Sequence, residues 1–394
     1  MKKALIASAI ASVFSVPVAA LAQTPPAAPA VPTLGQVLDA TGLTVTGYLD
    51  AAYNHGNRNM EAGGPRVFDN YSNSFVLHQA GLTVAKQPKE GFGGLLNMTA
   101  GKDAAVIHSF GATSESQFDV TQAYGQYAGG PLTVIGGKFT TLAGTEVIAS
   151  TGNTTYSRSI LFGSVPFTHT GLRATYAVND ALGLTAGVNN GWDQVQDTNK
   201  QKTLELGLTF SPIKPLTIVA SNYYGKEGMA IPTPGAVPTL FTTAGTPGTL
   251  QGNRNASNLV VTWSATDALT LGGELLRVTQ DNFFDLSPGA AAGAVKNAVY
   301  GGGAAYVTYM FTPKWRGVVR LESFYDKDGL RFGTFNTKYK EGTVDVSYLA
   351  TDNFELRGEV RRDTANNPVP IFQDFAGAST KNLTTYALQG IYKF

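Results

Sequence analysis

The chain contains no cysteine. That excludes a disulfide framework, a thiolate metal centre and a nucleophilic thiol. Charge is also scarce: Asp, Glu, Lys and Arg make up 14 % of the residues, against roughly a quarter in ordinary globular proteins. Beyond residue 22 there is no apolar run long enough for a transmembrane helix. A helical membrane protein is therefore excluded. Neither sign of charge dominates. The whole chain carries +1, and removing Lys2 and Lys3 leaves 27 basic against 28 acidic residues. Such a balance gives no electrostatic footprint for nucleic acid.

What the chain does have is glycine, at 45 residues, and 10 % aromatics, with a mean hydropathy of −0.04. A membrane β-barrel reconciles these, because its apolar residues alternate with polar ones and the average looks soluble. The first residues agree with export. Lys2 and Lys3 precede an apolar stretch from Ala4 to Val18, and Ala20-Leu21-Ala22 supplies the small–x–small pattern of a signal-peptidase site. Residues 1–22 are therefore expected to be a signal peptide, cleaved before Gln23. The same run is too short for a stop-transfer helix and contains Pro17. Gln23 to Thr33, rich in Pro and Ala, reads as a flexible or extended stretch, and residues 23–42 are expected to form a Pro/Ala-rich periplasmic leader. A barrel is expected over 43–394.

From Leu43 onward one pattern recurs: an alternating segment, a tight turn, another alternating segment, then a longer polar stretch. The tight turns are Gln87-Pro88-Lys89-Glu90, Gly129-Gly130-Pro131, Asn179-Asp180, 211–215, Ala265-Thr266-Asp267, Thr312-Pro313-Lys314 and 350–353. Pro, Gly, Asn and Asp supply turn dihedrals and self-capping bonds there. The longer stretches are 55–73, 103–117, 141–164, 192–202, 226–254, 280–296, 327–337 and 364–380. About seven hairpins plus a first and a last strand give about sixteen strands. The fold class expected is thus all-β, a transmembrane antiparallel up-and-down barrel with short periplasmic turns and long extracellular loops.

Alternation assigns faces. Leu204, Leu206, Leu208 and Phe210 oppose Glu205, Gly207 and Thr209; Phe354, Leu356, Gly358 and Val360 oppose Glu355, Arg357, Glu359 and Arg361. The apolar set should face lipid and the polar set a water-filled lumen, since rows of Arg and Glu do not make a dry core. On this basis the pore-lining residues are Asp50, Lys138, His169, Arg173, Glu205, Glu274, Arg316, Arg320, Glu322, Asp345, Glu355, Arg357, Glu359 and Arg361. Those from Arg316 to Arg361 fall on adjacent strands ~4.8 Å apart and should form one mixed-charge patch that shapes the pore's field. The segment 141–164 can fold inward as a constriction, with Glu146 and Arg158 as its charged candidates. The stretch 226–254 reads as a surface loop or a cap over the mouth. At the end, Tyr386, Leu388, Gly390, Tyr392 and Phe394 alternate. The terminal Tyr392 and Phe394 resemble the signal read by the barrel-assembly machinery.

Two stretches are distinctive: Asn153-Thr154-Thr155-Tyr156-Ser157-Arg158-Ser159-Ile160-Leu161-Phe162, followed by Pro166-Phe167-Thr168-His169-Thr170-Gly171-Leu172-Arg173, and Gly187-Val188-Asn189-Asn190-Gly191-Trp192. With Leu132 to Glu146, they resemble the outer-membrane β-barrel porin family often labelled "outer membrane beta-barrel protein". The resemblance runs from about Leu43 to Phe394. It implies a porin-like barrel but names no solute. The constriction residues of the trimeric general porins have no matching motif here.

Catalytic and cofactor signatures are weak. The four histidines, His55, His78, His108 and His169, do not pair at metal-ligand spacing. Gly136-Gly137-Lys138 lacks the first glycine and the helix of a phosphate loop, and Gly301-Gly302-Gly303 lies inside a strand. No cofactor is expected. The function expected is a porin of the outer membrane of a Gram-negative cell, passing small hydrophilic solutes and ions by passive diffusion, with lipid and the assembly machinery as partners. A homotrimer is expected by analogy. Two other classes remain. A phospholipase-like barrel enzyme needs Ser, His and an orienting group on the outer wall, where His78 could lie but has no Ser partner. A structural anchor or adhesin needs a closed lumen.

Overall fold

Period-two patterning becomes a closed ring of strands. In the computed structural model the described residues are 33–60, 65–109, 117–197, 199–229, 250–291 and 293–394. The strands are β1 (Thr44–Gly56), β2 (Ser74–Lys86), β3 (Gly91–Ala100), β4 (Phe118–Gly129), β5 (Leu132–Thr140), β6 (Thr168–Asn179), β7 (Leu182–Asn189) and β8 (Thr203–Ile213). They continue as β9 (Leu216–Met229), β10 (Leu250–Ser264), β11 (Leu269–Phe284), β12 (Val295–Thr312), β13 (Trp315–Asp326), β14 (Thr337–Leu349), β15 (Phe354–Gln373) and β16 (Ser379–Lys393). Each pairs antiparallel with its neighbours in sequence, and β1 pairs with β16. Every strand therefore has two partners, which is what a sheet needs to satisfy its backbone in hydrocarbon.

All the tight turns read from the sequence fall between strands. Three of the expected loops are shorter than the sequence suggested. Strand β9 continues to Met229 and β10 begins at Leu250; β11 runs to Phe284 and β12 starts at Val295; β15 reaches Gln373 and β16 starts at Ser379. Above the bilayer the outer face of a strand no longer needs to be apolar, and inner residues such as Phe283, Val369, Ile371 and Phe372 pack into a core, so ladder bonding continues without the alternation that marks a lipid-facing strand in sequence. The greater part of the expected cap at 226–254, residues 230–249, lies outside the described residues. Strand length is uneven around the ring, from eight residues in β7 to 20 in β15.

The assigned faces hold. Leu204, Leu206, Leu208 and Phe210 are exposed on the outer wall, as are Leu356 and Val360, while Glu205, Glu355, Arg357, Glu359 and Arg361 are buried inside. Exposed Phe92, Tyr127, Trp263, Phe311, Trp315 and Tyr392 stand within a few residues of the short turns. They form the aromatic girdle of a membrane interface. At the seam, Gly47 and Phe394 exchange both backbone hydrogen bonds, at 2.8 and 2.9 Å. The Phe394 ring covers Gly47 so closely that a Cβ there would lie 2.4 Å from it. Within β12, a Cβ on Gly302 would lie 2.4 Å from the Ser323 carbonyl oxygen, so the glycine run permits close approach of β13.

Ahead of the barrel, just after the Pro- and Ala-rich stretch 23–33, lies a helix, α1 (Leu34–Thr41), for which the sequence reading made no assignment. A capping box starts it. The Thr33 N–H donates to Gln36 Oε1 at 2.8 Å, and the Gln36 N–H donates to Thr33 Oγ1 at 3.3 Å. The prolines that argued for extension end at Pro32, and the following LGQVLDAT is free of them. The signal peptide expected at 1–22 lies outside the described residues.

Candidate functional site

The third long loop (141–167, loop 3) does not stay at the rim. It enters the barrel and crosses it, held by wall side chains at every stage. Thr141 Oγ1 and the Leu142 N–H bond Tyr223 Oη on β9, at 3.0 and 2.8 Å. The Gly144 N–H donates to Asn258 on β10 at 3.0 Å, and the Thr145 N–H to Glu274 on β11 at 2.9 Å. The chain then meets the opposite wall. The Ser150 hydroxyl donates to Asp50 on β1, and the Ser150 N–H to Gln79 on β2 at 3.2 Å. On leaving, the loop passes its Gly163 carbonyl to Arg331, at 2.6 Å from Nη2, and its Ser164 carbonyl to Tyr300 Oη at 2.8 Å.

Strands β13 to β15 provide the strongest sockets. Arg320 Nη1 donates to Glu146 at 2.7 Å and to the Ser157 carbonyl at 2.8 Å, while its Nε faces Glu341 at 3.1 Å. Arg357 Nη2 donates to the Asn153 carbonyl at 2.7 Å and Nη1 to the Thr155 carbonyl at 3.0 Å. Arg361 donates to the Arg158 carbonyl and pairs with Asp363 at 2.7 Å. Acids take the loop's N–H groups. Glu322 accepts from Ile160 and Leu161, both at 2.7 Å, and Glu359 accepts from Ser157 at 3.0 Å. These are charge-assisted bonds to backbone, stronger than neutral ones. They satisfy groups that an irregular segment would otherwise bury unpaired.

The charges of this wall therefore point inward as expected but do not line an open water column. Arg320, Arg357 and Arg361 are at most 1 % exposed. The expectation that rows of Arg and Glu require a wet lumen fails here because the loop's own carbonyls and N–H groups replace water. Arg158 likewise is not presented to a solute. It ties the loop to itself, donating to the carbonyls of Val147, Tyr156 and Ile148 at 3.0, 2.9 and 3.0 Å. Asn153 does the same through Val147 and Ala149. Glu146 is held between Arg320 and the Ser159 N–H, 2.7 Å from each.

The remaining assigned residues are paired on the wall. Arg173 grips Glu205 with two bonds, at 2.8 and 2.7 Å, and stacks over Phe139 at 4.2 Å. His169 stacks on Tyr223 with ring centres 4.6 Å apart. Lys138 reaches Asp119 at 3.2 Å. Arg316 and Arg357 share Glu355, and Asp345 accepts from Ser347 at 2.9 Å. His78, placed on the outer face as the enzyme candidate, is inside. Its Nδ1 lies 2.9 Å from Asp103 and its Nε2 3.1 Å from Tyr156 of loop 3. His78 is itself the extra residue of a bulge, since the consecutive Asp50 and Ala51 pair with Gln79 and Leu77, which breaks the alternation used to place it. Among the described residues, no group of three His, Asp or Glu is arranged to hold a metal.

Sequence reading missed Glu341, Asp363 and Arg254, all buried inside. Extending the alternation of Asp345 and Arg361 reaches the first two. It also missed Asp193, in the loop after β7, whose carboxylate accepts the Phe167 and Thr168 N–H groups, both at 2.8 Å. Burial pushes this carboxyl up to about 7.

Open space remains on either side of loop 3. One cavity of about 260 Å³ lies between residues 143–149 and the wall of β1 and β3 to β5, against Tyr48, Asn97, Thr99, Thr121, Gln122 and Thr140. Another of about 150 Å³ lies between the loop and β10 to β12, against Thr262, Thr270, Gly272, Tyr306 and Thr308. The space beside the loop is thus divided into two separate cavities, one on each side.

Comparison with known proteins agrees with this architecture. Residues 42–394 match the sequence profile of the family described as "Putative beta-barrel porin-2, OmpL-like". Among curated proteins, none matches the chain. Among solved structures, the fold resembles the outer membrane channel DcaP of Acinetobacter baumannii, with a TM-score of 0.59 and 12 % identity over 89 % of this chain and 97 % of that one. It also resembles the anion-selective porin from Comamonas acidovorans, with a TM-score of 0.62 and 10 % identity over 89 % and 99 %. OmpT of Vibrio cholerae, solved in a trimer form, gives 0.57 and 10 % over the same shares. At these identities the likeness is one of fold. With the family profile spanning the whole barrel, the chain belongs to the OmpL-like β-barrel porins and is a channel protein of the outer membrane.

Proposed function

We propose that the barrel passes small hydrophilic solutes by passive diffusion around a fixed loop 3, with no chemical step. One observation carries this reading: loop 3 is clamped against β13 to β15, while cavities stay open against β1, β3 to β5 and β10 to β12. A closed-lumen anchor would gain nothing from open space on both sides of an inserted segment. The residues assigned as pore-lining act in two groups. Arg320, Glu322, Arg357, Glu359 and Arg361 position the loop, and the pairs on the remaining wall brace the barrel and set a weak field. The precursor is exported by residues 1–22 and delivered to the outer membrane by the assembly machinery, which reads Tyr392 and Phe394. Association as a homotrimer is supported only by fold likeness to a protein solved as one.

Purified protein in a planar bilayer tests the channel. Stepwise conductance increments are expected. A folded, heat-modifiable protein that inserts without conducting would favour the anchor instead.

A further inference from the structure

Charge and open space occupy different parts of the lumen. Arg320, Arg357 and Arg361 lie against loop 3, whereas on the barrel wall the two cavities meet mainly threonine, amide and tyrosine side chains, the loop adding apolar Val147, Ile148, Phe162 and Phe167 to the first. Among the described residues lining them, Glu146 is the one charged side chain, and Arg320 and Ser159 already hold it. The same chemistry continues along the inner wall. Thr217 faces Thr262 and Thr270 faces Thr308 across adjacent strands. The hydroxyls of Thr175 and Thr185 lie 3.1 Å apart.

Such a wall discriminates. A hydroxyl is both donor and acceptor, so threonine can replace either side of a solute's hydrogen bonds to water. An ion entering the same narrow space sheds part of its hydration and meets no fixed counter-charge, which is costly. A polyol sheds water too, but the wall returns its hydrogen bonds. Tyr48 and Tyr306 add ring surface to the cavities, against which the C–H face of a sugar ring can lie. The Tyr306 hydroxyl is buried beside the second cavity and has no partner among the described residues.

We propose that the open route around loop 3 is a passage for uncharged, polyhydroxylated solutes, sugars and polyols, with little preference between cations and anions. This rests on the channel reading. The test uses the full-length protein in liposomes at low ionic strength. Swelling is followed with glucose, anionic glucuronate and cationic glucosamine, and the reversal potential is measured in a potassium chloride gradient. Glucose should enter roughly fivefold faster than either charged analogue, the ratio that about 1 kcal/mol of barrier produces, with a reversal potential close to zero. The T308R variant should shift that potential toward anion preference and slow glucosamine further. A charged analogue that outruns glucose, a strongly ion-selective reversal potential, or a T308R channel indistinguishable from the parent would overturn the proposal. Absence of both swelling and conductance in folded protein would instead remove the channel reading, and this inference with it.

Discussion

Arg357 and Asn153 are 204 residues apart in sequence, yet the arginine's Nη2 lies 2.7 Å from the asparagine's carbonyl oxygen. The contact joins β15 to a loop that starts at the end of β5. It is one of a set, with Arg320 and Arg361, by which one wall grips loop 3. Removing one partner of a buried charged group typically costs about 3–5 kcal/mol. The double variant R320Q/R357Q should therefore release the loop while the barrel still closes. The expected result in planar bilayers is a larger mean conductance with more current noise. A conductance unchanged from the parent, in folded protein, would show that other contacts suffice to hold the loop.

The two faces of β8 offer a stability test. Leu206 faces lipid, and arginine there should cost about 2–4 kcal/mol near the bilayer midplane. Thr209, on the inner face and exposed, should accept arginine with little loss. Gly207 shares that inner face, but a Cβ on it would come 2.8 Å from Leu142 of loop 3. Arginine at Gly207 should therefore be costly too. Reversible unfolding into lipid vesicles ranks the three variants, and equal costs at Leu206 and Thr209 would contradict the assigned faces.

Asp193 predicts a pH dependence. Its carboxyl is held up at about 7 by burial, and Oδ2 has no partner among the described residues. The folded state thus retains a proton that the unfolded chain releases above about pH 4. Stability from this group is complete at low pH and declines as pH rises to about 7, where the folded state also ionises. An Asp193→Asn variant keeps one oxygen to accept the Phe167 and Thr168 N–H groups and has no proton to lose. Its thermal midpoint in detergent should fall less than the parent's across that interval. Parallel profiles would show that Asp193 is ionised throughout.

Much of this barrel is legible in the sequence, and the reason is local. Pro, Asn, Asp or Gly punctuates each short turn, and the alternation from Phe354 to Arg361 states which side chains face inward. Strand ends above the bilayer are less legible, because Arg362 to Gln373 continue β15 where no lipid imposes an apolar outer face and the inner residues Val369, Ile371 and Phe372 pack into a core that leaves no simple period. The loop-3 site is legible only in half. The inward charges could be read off, but their partners could not. A backbone carbonyl leaves no mark in sequence, so nothing local says that Arg357 finds Asn153 or that Glu322 finds Ile160. His78 was misplaced because one extra residue at a bulge reverses the parity.

The seam gives a fourth prediction. The ring of Phe394 lies over Gly47, and its backbone completes the β1–β16 pairing. Deleting Phe394 should slow assembly, read as a smaller heat-modifiable fraction in isolated outer membranes. The G47V variant, which displaces the ring but keeps the terminal residue, should fold with a normal rate and a lowered midpoint. Equal slowing by both would make the defect one of closure rather than recognition of the terminus.

The unequal strands also shape how solutes arrive. A bilayer takes about 10 residues of a tilted strand. The eight residues of β7 therefore end near the headgroups, while about half of the 20-residue β15 stands in the aqueous layer beyond them. The mouth is a slanted opening with a sill on one flank and a parapet on the other. Molecules diffusing along the cell surface meet it anisotropically: those crossing the low flank drop in, and those from the high flank are turned aside. The tall flank is also tied inward, since Val369, Ile371 and Phe372 share a buried apolar cluster with Ile160 and Leu161 of loop 3, so the height of the wall and the seat of the loop cannot be altered independently.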